Sequence, residues 1–445
     1  VTGIRRTLVA CASLVVPLGA LAFHGCSEVE HDGAASDAAV FSPDRVTPAD
    51  ARTRDAPAHK PPPRPADIPD GWQLYEGYDP DCSFYIPTAT DQFPAPLQWE
   101  SCGPDLHPSD VACQRIAVNR DDPYEFLSSW VSATVASDGK LLFQVSKFTK
   151  PFVWRLVIDV DGHVRYGVIE ADSDRCTLGG GYLWRDHYVL SLNELQSSRL
   201  EGYLIGELGA LTPSFAIHRT EGGPHSLYTG PFGIVETGWS PDFLLYPWSA
   251  LGSPRVLWTQ DDGLNHAQFF FTDDAIFWTA GSYQGAKAKV WTEAAGVRDL
   301  VSFGTDQTRG AGAFGTDGVD MVWLEGAPRP PNDGGLDTYA ITTAPYTTDP
   351  SQVRKRRLRS EVGSALSAER FQVGCGFAAR SRHDGLRIVR IADGHSWFLP
   401  NKGTWNWQRV HAMNCDEIFV RVMNGWRADL VRIRLDSLGP GELPD

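Results

Sequence analysis

Short motifs that concentrate enzymatic chemistry are missing from this chain. There is no GxSxG, no HExxH and no GxxxxGK[ST] phosphate loop, and histidines are scattered without ligand spacing. No CxxC and no Cys/His cluster at zinc spacing is present, so no metal ligands and no cofactor are assigned. Long amphipathic helical patterns are also absent. Methionine is scarce, at 3 residues against 15 tryptophans. Basic residues are outnumbered, 40 against 55 acids, for a formal charge of −15. That balance disfavours nucleic acid and anionic lipid headgroups as partners.

What remains is aromatic and turn-rich: 43 glycines, 31 prolines and 11 % aromatic residues in 445. Aromatic strands punctuated by such turns imply an all-β chain.

Residues 1–25 read as a signal peptide. Arg5 and Arg6 form its positive start, and Leu8 to Phe23 an apolar stretch interrupted by Pro17. The stretch falls short of the roughly 20 apolar residues that span a bilayer. Two processing routes are open. Ala20-Leu21-Ala22 fits the small-x-small pattern of ordinary cleavage. Leu21-Ala22-Phe23-His24-Gly25-Cys26 resembles a lipobox, which would make Cys26 the lipidated residue of a lipoprotein. Ser27 then resembles an outer-membrane sorting signal.

Residues 26–69 form a linker with nine alanines, eight prolines and six aspartates from Ser27 to Pro69. Too little apolar surface is present to offset the entropy of ordering it. Fully extended it would reach roughly 140 Å, a stalk that holds a domain off a membrane. Composition changes at Gly71, and residues 70–113 are expected to be an ordered, disulfide-pinned cap.

Residues 114–445 carry a repeat. Seven short apolar strands follow turns, with anchors at Phe143, Val189, Val235, Phe277, Val322, Phe377 and Phe419. The spacings are 46, 46, 42, 45, 55 and 42 residues, against about 40–50 for a four-stranded propeller blade. The long unit holds a Pro-, Asp- and Gly-rich insertion, Arg329 to Leu336. Asp-Gly, at home in tight hairpin turns, occurs seven times within residues 114–445. The expected fold is a single β-propeller of seven four-stranded blades, with six as the alternative. Ring closure is expected from Arg115 to Val118, lying beside the strand near Leu430 to Leu435.

Setting Cys11 and Cys26 aside leaves Cys82, Cys102, Cys113, Cys176, Cys375 and Cys415, an even number that reads as disulfides in an oxidising compartment. Cys375 and Cys415 hold equivalent places in consecutive units, which makes a bridge between neighbouring blades plausible. The remaining four are expected to pair Cys82 with Cys102 and Cys113 with Cys176.

The fragment Ser137-Asp138-Gly139-Lys140-Leu141-Leu142-Phe143 resembles the repeat of TolB-like periplasmic propellers. The whole layout is similar to poorly characterised secreted β-propeller lipoproteins of Gram-negative bacteria. That likeness implies architecture and location, an exported cell-envelope protein, without fixing function.

Binding candidates are few. Arg354, Lys355, Arg356 and Arg357 form a basic patch able to grip phosphates or acidic glycans, or else an exposed strand whose charges blunt an edge. Trp405 and Trp407, two residues apart on an extended segment, would face one side as a sugar or peptide platform, or else pack between blades. Asp159 to Glu170 has an EF-hand's length, but Val164 stands where the loop needs glycine, and Asp161-Gly162 reads as a hairpin turn. With no catalytic residue assigned, the favoured role is a monomeric, non-enzymatic binding or scaffold propeller for a protein or envelope glycan, membrane-bound only through its lipid. The alternative is a propeller hydrolase or lyase acting on an extracellular polymer.

Overall fold

Each repeat unit forms one antiparallel meander in a computed structural model of the chain. The structure describes residues 72–76, 83–87, 98–103, 111–117, 131–135, 141–149, 152–159, 164–171, 176–185, 187–194, 200–207, 215–218, 226–238, 241–259, 269–280, 287–303, 313–326, 337–363, 371–382, 384–403, 405–424 and 427–443. All of them lie in one unit, Pro61–Asp445. The signal peptide, the linker, Cys26, Cys82 and the turn at 160–163 lie outside the described residues.

Four strands precede the first repeat: β1 (Trp72–Glu76), β2 (Ser83–Pro87), β3 (Gln98–Ser101) and β4 (Cys113–Ala117). The first repeat gives β5 (Val131–Val135), β6 (Leu141–Thr149), β7 (Phe152–Asp159) and β8 (Val164–Ala171). The second gives β9 (Cys176–Trp184), β10 (His187–Glu194), β11 (Leu200–Glu207) and β12 (Phe215–His218). Next come β13 (Ser226–Gly230), β14 (Gly233–Thr237), β15 (Asp242–Pro247) and β16 (Arg255–Thr259). Then follow β17 (Phe269–Phe271), β18 (Ile276–Ala280), β19 (Lys287–Thr292) and β20 (Gly296–Ser302). The fifth set is β21 (Phe314–Thr316), β22 (Asp320–Gly326), β23 (Asp337–Pro345) and β24 (Arg356–Gly363). The sixth is β25 (Gln372–Gly374), β26 (Phe377–Arg382), β27 (Gly385–Arg390) and β28 (Ser396–Pro400). The chain ends with β29 (Trp405–Met413), β30 (Glu417–Asn424) and β31 (Arg427–Arg434). Helix among the described residues amounts to three 3-10 turns, at Trp248–Ala250, Pro350–Gln352 and Leu435–Ser437.

This is an all-β propeller. Five sheets are four-stranded meanders, β9–β12 through β25–β28. β29 to β31 take β4 as their fourth strand, and β3 adds beyond it. Those six sheets have the build of a four-stranded blade. The expectation of seven such blades is not met in that form, because the remaining sheet is six-stranded: β2 pairs with β8, and β1 with β2. First strands of successive sheets stand side by side from β9 to β29, and β5 lies against β29.

The seven anchors fall on β6, β10, β14, β18, β22, β26 and β30, the second strand of each meander. Where burial is described, such strands are covered on both faces by neighbouring sheets, so they read as continuous apolar runs. Ile276, Phe277 and Trp278 are fully buried, as are Met321, Val322 and Trp323, and Ile418, Phe419 and Val420. Between the β13–β16 and β17–β20 sheets, Phe243, Trp258, Phe269 and Trp278 form a continuous aromatic contact. Fully burying each such ring stabilises by about 1.5–3 kcal/mol.

Turn chemistry is visible at Asp317-Gly318. Asp317 Oδ1 accepts the amides of Val319 and Asp320, each at 2.9 Å, while Gly318 takes φ +84°, a region costly for other residues.

Closure follows the expected route. β4 pairs with β31, setting Arg115 opposite Val431 and Cys113 opposite Ile433. Arg115 adds an ion pair to Glu100 at 2.8 Å and approaches Asp429 at 3.9 Å. β4 and β31, from opposite ends of the propeller sequence, thus share one sheet, so opening the ring requires breaking a ladder.

The cysteines need one correction. Cys102 pairs with Cys113, Cα atoms 5.4 Å apart, which overturns Cys82–Cys102 and Cys113–Cys176. The cause is the β3–β4 hairpin, in which Ser101 faces Gln114 and the Cys102 amide donates to the Cys113 carbonyl at 3.1 Å. Cys176 opens β9 in another sheet. Cys375–Cys415 forms as expected, with Cα atoms 5.1 Å apart, and ties the β25–β26 turn to the β29–β30 turn.

Candidate functional site

A concentration of buried charge lies between the β21–β24 and β25–β28 sheets, and β24 supplies two of its members. Tyr339 on β23 pairs with Glu361 on β24, and Ile341 pairs with Arg359. Cross-strand partners share a face, and Tyr339 and Ile341 pack with Ala378, Val389 and Ile391 of the next sheet. Glu361 and Arg359 therefore point into the seam. Arg380 and Arg382 meet them from β26, two residues apart on one face, and Arg387 does so from β27.

Glu361 is 2 % exposed. Its Oε2 accepts from Arg382 Nη1 at 3.1 Å, Arg387 Nε stands 2.9 Å from Oε1, and Arg380 Nη2 lies 3.9 Å away. Arg382 also clasps Asp384 in a fork, at 2.8 and 2.9 Å. Arg380, 1 % exposed, donates to the Tyr339 hydroxyl at 2.8 Å and stacks over the Tyr339 and Phe371 rings. Arg382 and Arg387 both lie over Phe398. Burial, reinforced by Glu361, pushes the Tyr339 hydroxyl above its ordinary pKa. Burial works to lower the pKa of Arg382, but Glu361 and Asp384 hold it above the ordinary value.

The C-terminal segment completes the seam. Glu442 exchanges backbone hydrogen bonds with Ser396 at 2.7 and 3.0 Å. Its carboxylate then pairs with Arg359 at 3.0 Å and Arg387 at 3.1 Å. Gly441 takes φ +73° beneath the Trp397 ring, where a Cβ would lie 2.8 Å from ring carbon. Four guanidiniums (Arg359, Arg380, Arg382, Arg387) thus meet three carboxylates (Glu361, Asp384, Glu442). The arrangement clamps two sheets together, and it caps the free edge of β28 with the chain's own tail.

The basic patch is largely drawn into local bonds. Arg354 donates to the Ser351 carbonyl at 2.9 Å, and Lys355 to Glu325 at 2.8 Å. Arg356 reaches across the seam to the carbonyls of Ile391 and Ala392. Arg357 is exposed. Trp407 is 4 % exposed and sits in the core with Val410, Met413 and Ile388. Its indole N–H donates to the Pro400 carbonyl at 3.1 Å. The Trp405 side chain lies outside the described residues, and a register shift between Trp407 and Arg409 interrupts the simple alternation of β29. Trp407 is accordingly a packing residue in this arrangement and offers no open platform face.

Sequence reasoning missed Glu361, Arg380, Arg382, Arg387 and Glu442. The available signal was charge at i and i+2 on a strand otherwise placed as buried, Arg380 and Arg382 beside the Phe377 anchor. Among the described residues no group of three His, Cys, Asp or Glu could hold a metal ion.

By its fold the chain is a β-propeller protein. No described protein family matches it, and no curated protein does. Solved structures similar to it include a prolyl endopeptidase from a study of two such enzymes, with 10 % identity and a TM-score of 0.43. That match covers 67 % of this chain and 46 % of the peptidase. BamB from Moraxella catarrhalis has 12 % identity over 76 % of this chain and 96 % of its own, with a TM-score of 0.40. Oligopeptidase B from Leishmania major has 10 % identity over 78 % and 52 %, with a TM-score of 0.43. The chain therefore spans about half the length of those two peptidases, and likenesses of this depth carry no functional argument.

Proposed function

We propose that the chain is an exported cell-envelope protein, anchored by lipid at Cys26 and raised on the stalk of residues 26–69. Its propeller would serve as a non-enzymatic binding or scaffold module for a protein or an envelope glycan. The observation that carries the export reading is the Cys375–Cys415 bridge between neighbouring sheets. Such a bond forms and persists in oxidising compartments, and it agrees with the signal-peptide pattern of residues 1–25. The binding reading draws support from a ring tied at β4–β31, clamped by buried ion pairs and cross-linked, a frame suited to presenting a rigid surface.

Mass analysis of the mature N-terminus tests the anchor: a diacyl or triacyl mass on Cys26 supports it, and an unlipidated chain starting at Phe23 rules it out. A pull-down from the native envelope, analysed for proteins and glycans together, tests the role. Recovery of no partner, together with turnover of an extracellular polymer by the purified protein, sinks the scaffold reading in favour of the hydrolase or lyase.

A further inference from the structure

The β29–β30 ladder contains a pairing that strand chemistry disfavours. Past the register shift at Trp407, Arg409 on β29 stands directly opposite Arg421 on β30. Like charges in that relation destabilise a strand pair. In the Glu361 seam Arg380 likewise stands opposite Arg387, but there Glu361 lies beside both and Glu442 pairs with Arg387. Here neither arginine forms an ion pair with an acid among the described residues. Arg409 is exposed and Arg421 half-buried, with its Nε shielded from solvent and bonded to nothing. Burial, and then the charge of Arg409, push the Arg421 pKa down.

The position is a junction. Ile418, Val420 and Val422 pack toward Ala379, Leu386 and Ile388 of the preceding sheet. Arg421, out of phase with them, belongs to the opposite face, the side on which β5 lies against β29, β30 and β31. Arg409 brings the pair to an exposed point on β29, where Asn406 and Gln408 are exposed as well.

We infer that Arg409 and Arg421 form an oxyanion-binding site at the seam where the ring closes. Two guanidinium forks side by side match the two or more oxygens of a carboxylate, sulfate or phosphate group. A bound anion would replace their repulsion with charge-assisted hydrogen bonds to both strands.

The test uses the purified full chain in chloride buffer at constant ionic strength, titrated with up to about 20 mM sulfate, phosphate or acetate and followed by calorimetry and thermal melting. A dissociation constant of about 1 mM for at least one anion is expected, with a saturable rise in melting temperature. Arg409→Gln and Arg421→Gln should each weaken binding about tenfold or more. In chloride alone Arg421→Gln should melt no lower than the parent, since it removes a repulsion. Preference for sulfate and phosphate would assign the natural group as tetrahedral, and preference for acetate as a carboxylate; either supports the site. Equal stabilisation of the parent and both variants would be a general salt effect and overturns it, as does the absence of binding heat in the parent. Arg409 is exposed, so its variant keeps the test open even if Arg421→Gln folds poorly.

Discussion

Replacing Glu361 with glutamine should destabilise the propeller far more than neutralising any exposed acid. The carboxylate is almost wholly removed from water and faces Arg382 at 3.1 Å, Arg387 at 2.9 Å and Arg380 at 3.9 Å. Glutamine keeps the shape and one acceptor, but it turns an amide N–H₂ toward a guanidinium and withdraws the negative charge. Four guanidiniums would then share Asp384 and Glu442, both of which are partly exposed. Removing one partner of a buried pair costs about 3–5 kcal/mol, a large fraction of the roughly 5–15 kcal/mol that holds a domain folded. With a urea slope of about 3 kcal/mol/M or more for a chain of this size, the midpoint should fall by roughly 1 M. Equilibrium unfolding in urea, followed by tryptophan fluorescence, measures this directly. Asp393→Asn is the control. Asp393 is held below the ordinary carboxylate range mainly by its hydrogen bond from Arg390, but the pair lies at the surface, so the midpoint should not move. The Glu361 effect should also survive 0.5 M NaCl, since buried pairs are screened little. A loss below about 1 kcal/mol, or one that disappears in salt, would refute the reading of this seam as a buried clamp.

Three further outcomes follow from the same geometry. Cys375→Ser opens a bridge closing a separation of 40 residues and should cost about 4 kcal/mol in the chain-entropy account; it lowers the melting temperature and frees the Cys415 thiol, whereas two titratable thiols at 375 and 415 in the folded parent would contradict the pairing. Arg115→Ala removes the ion pairs to Glu100 and Asp429, so amide exchange should accelerate in β4 and β31 while β13–β16 keep their protection, and uniform acceleration would argue against a local closure. Burial and then the charge of Asp317 hold Asp320 above the ordinary carboxylate pKa, against a smaller pull from Arg356. An acid raised on folding contributes stability that is fully present below its unfolded pKa and lost as pH rises through the folded value. Asp320→Asn should therefore raise the melting temperature at pH 7 and leave it nearly unchanged near pH 3; a penalty at pH 7 would show that the charged form is favoured.

How far the sequence was legible depended on the range of the interaction. The anchors were readable because a second strand between two sheets is apolar on both faces, a property of consecutive residues such as Ala275-Ile276-Phe277-Trp278. Asp-Gly turns are equally local: those at Asp317, Asp384 and Asp393 fall between consecutive strands. The Cys375–Cys415 bridge came through because the repeat itself places equivalent positions side by side. Where the repeat gave no such ruler, pairing was opaque. Cys102 meets Cys113 because β3 and β4 form a hairpin that then docks on β31, and nothing in residues 98–117 alone says which distant strand will receive it. β2 likewise extends the β5–β8 sheet through Phe84 and Tyr85 opposite Glu170 and Ile169, which gave that sheet its six strands. The Glu361 cluster draws on β23, β24, β26, β27 and the C-terminal segment, so only folding assembles its charges.

The seams around the ring differ in chemistry, and the difference bears on where a ligand would act. Between the β13–β16 and β17–β20 sheets the wedge is filled by stacked and edge-on aromatics such as Phe243, Trp258, Phe269 and Trp278. Between β21–β24 and β25–β28 guanidinium planes occupy comparable space, lying over Tyr339, Phe371 and Phe398 with their charge answered by Glu361, Asp384 and Glu442. Arginine can serve as a flat filler in a seam because its plane stacks on rings, provided carboxylates neutralise it. At Arg409 and Arg421 the guanidiniums recur without that answering charge, at the seam where the N-terminal strands meet the last sheet. An anion supplied from outside would finish there what Glu361 finishes internally. It would do so at the junction on which closure of the ring depends, so binding at that point would be coupled to the stability of the whole propeller.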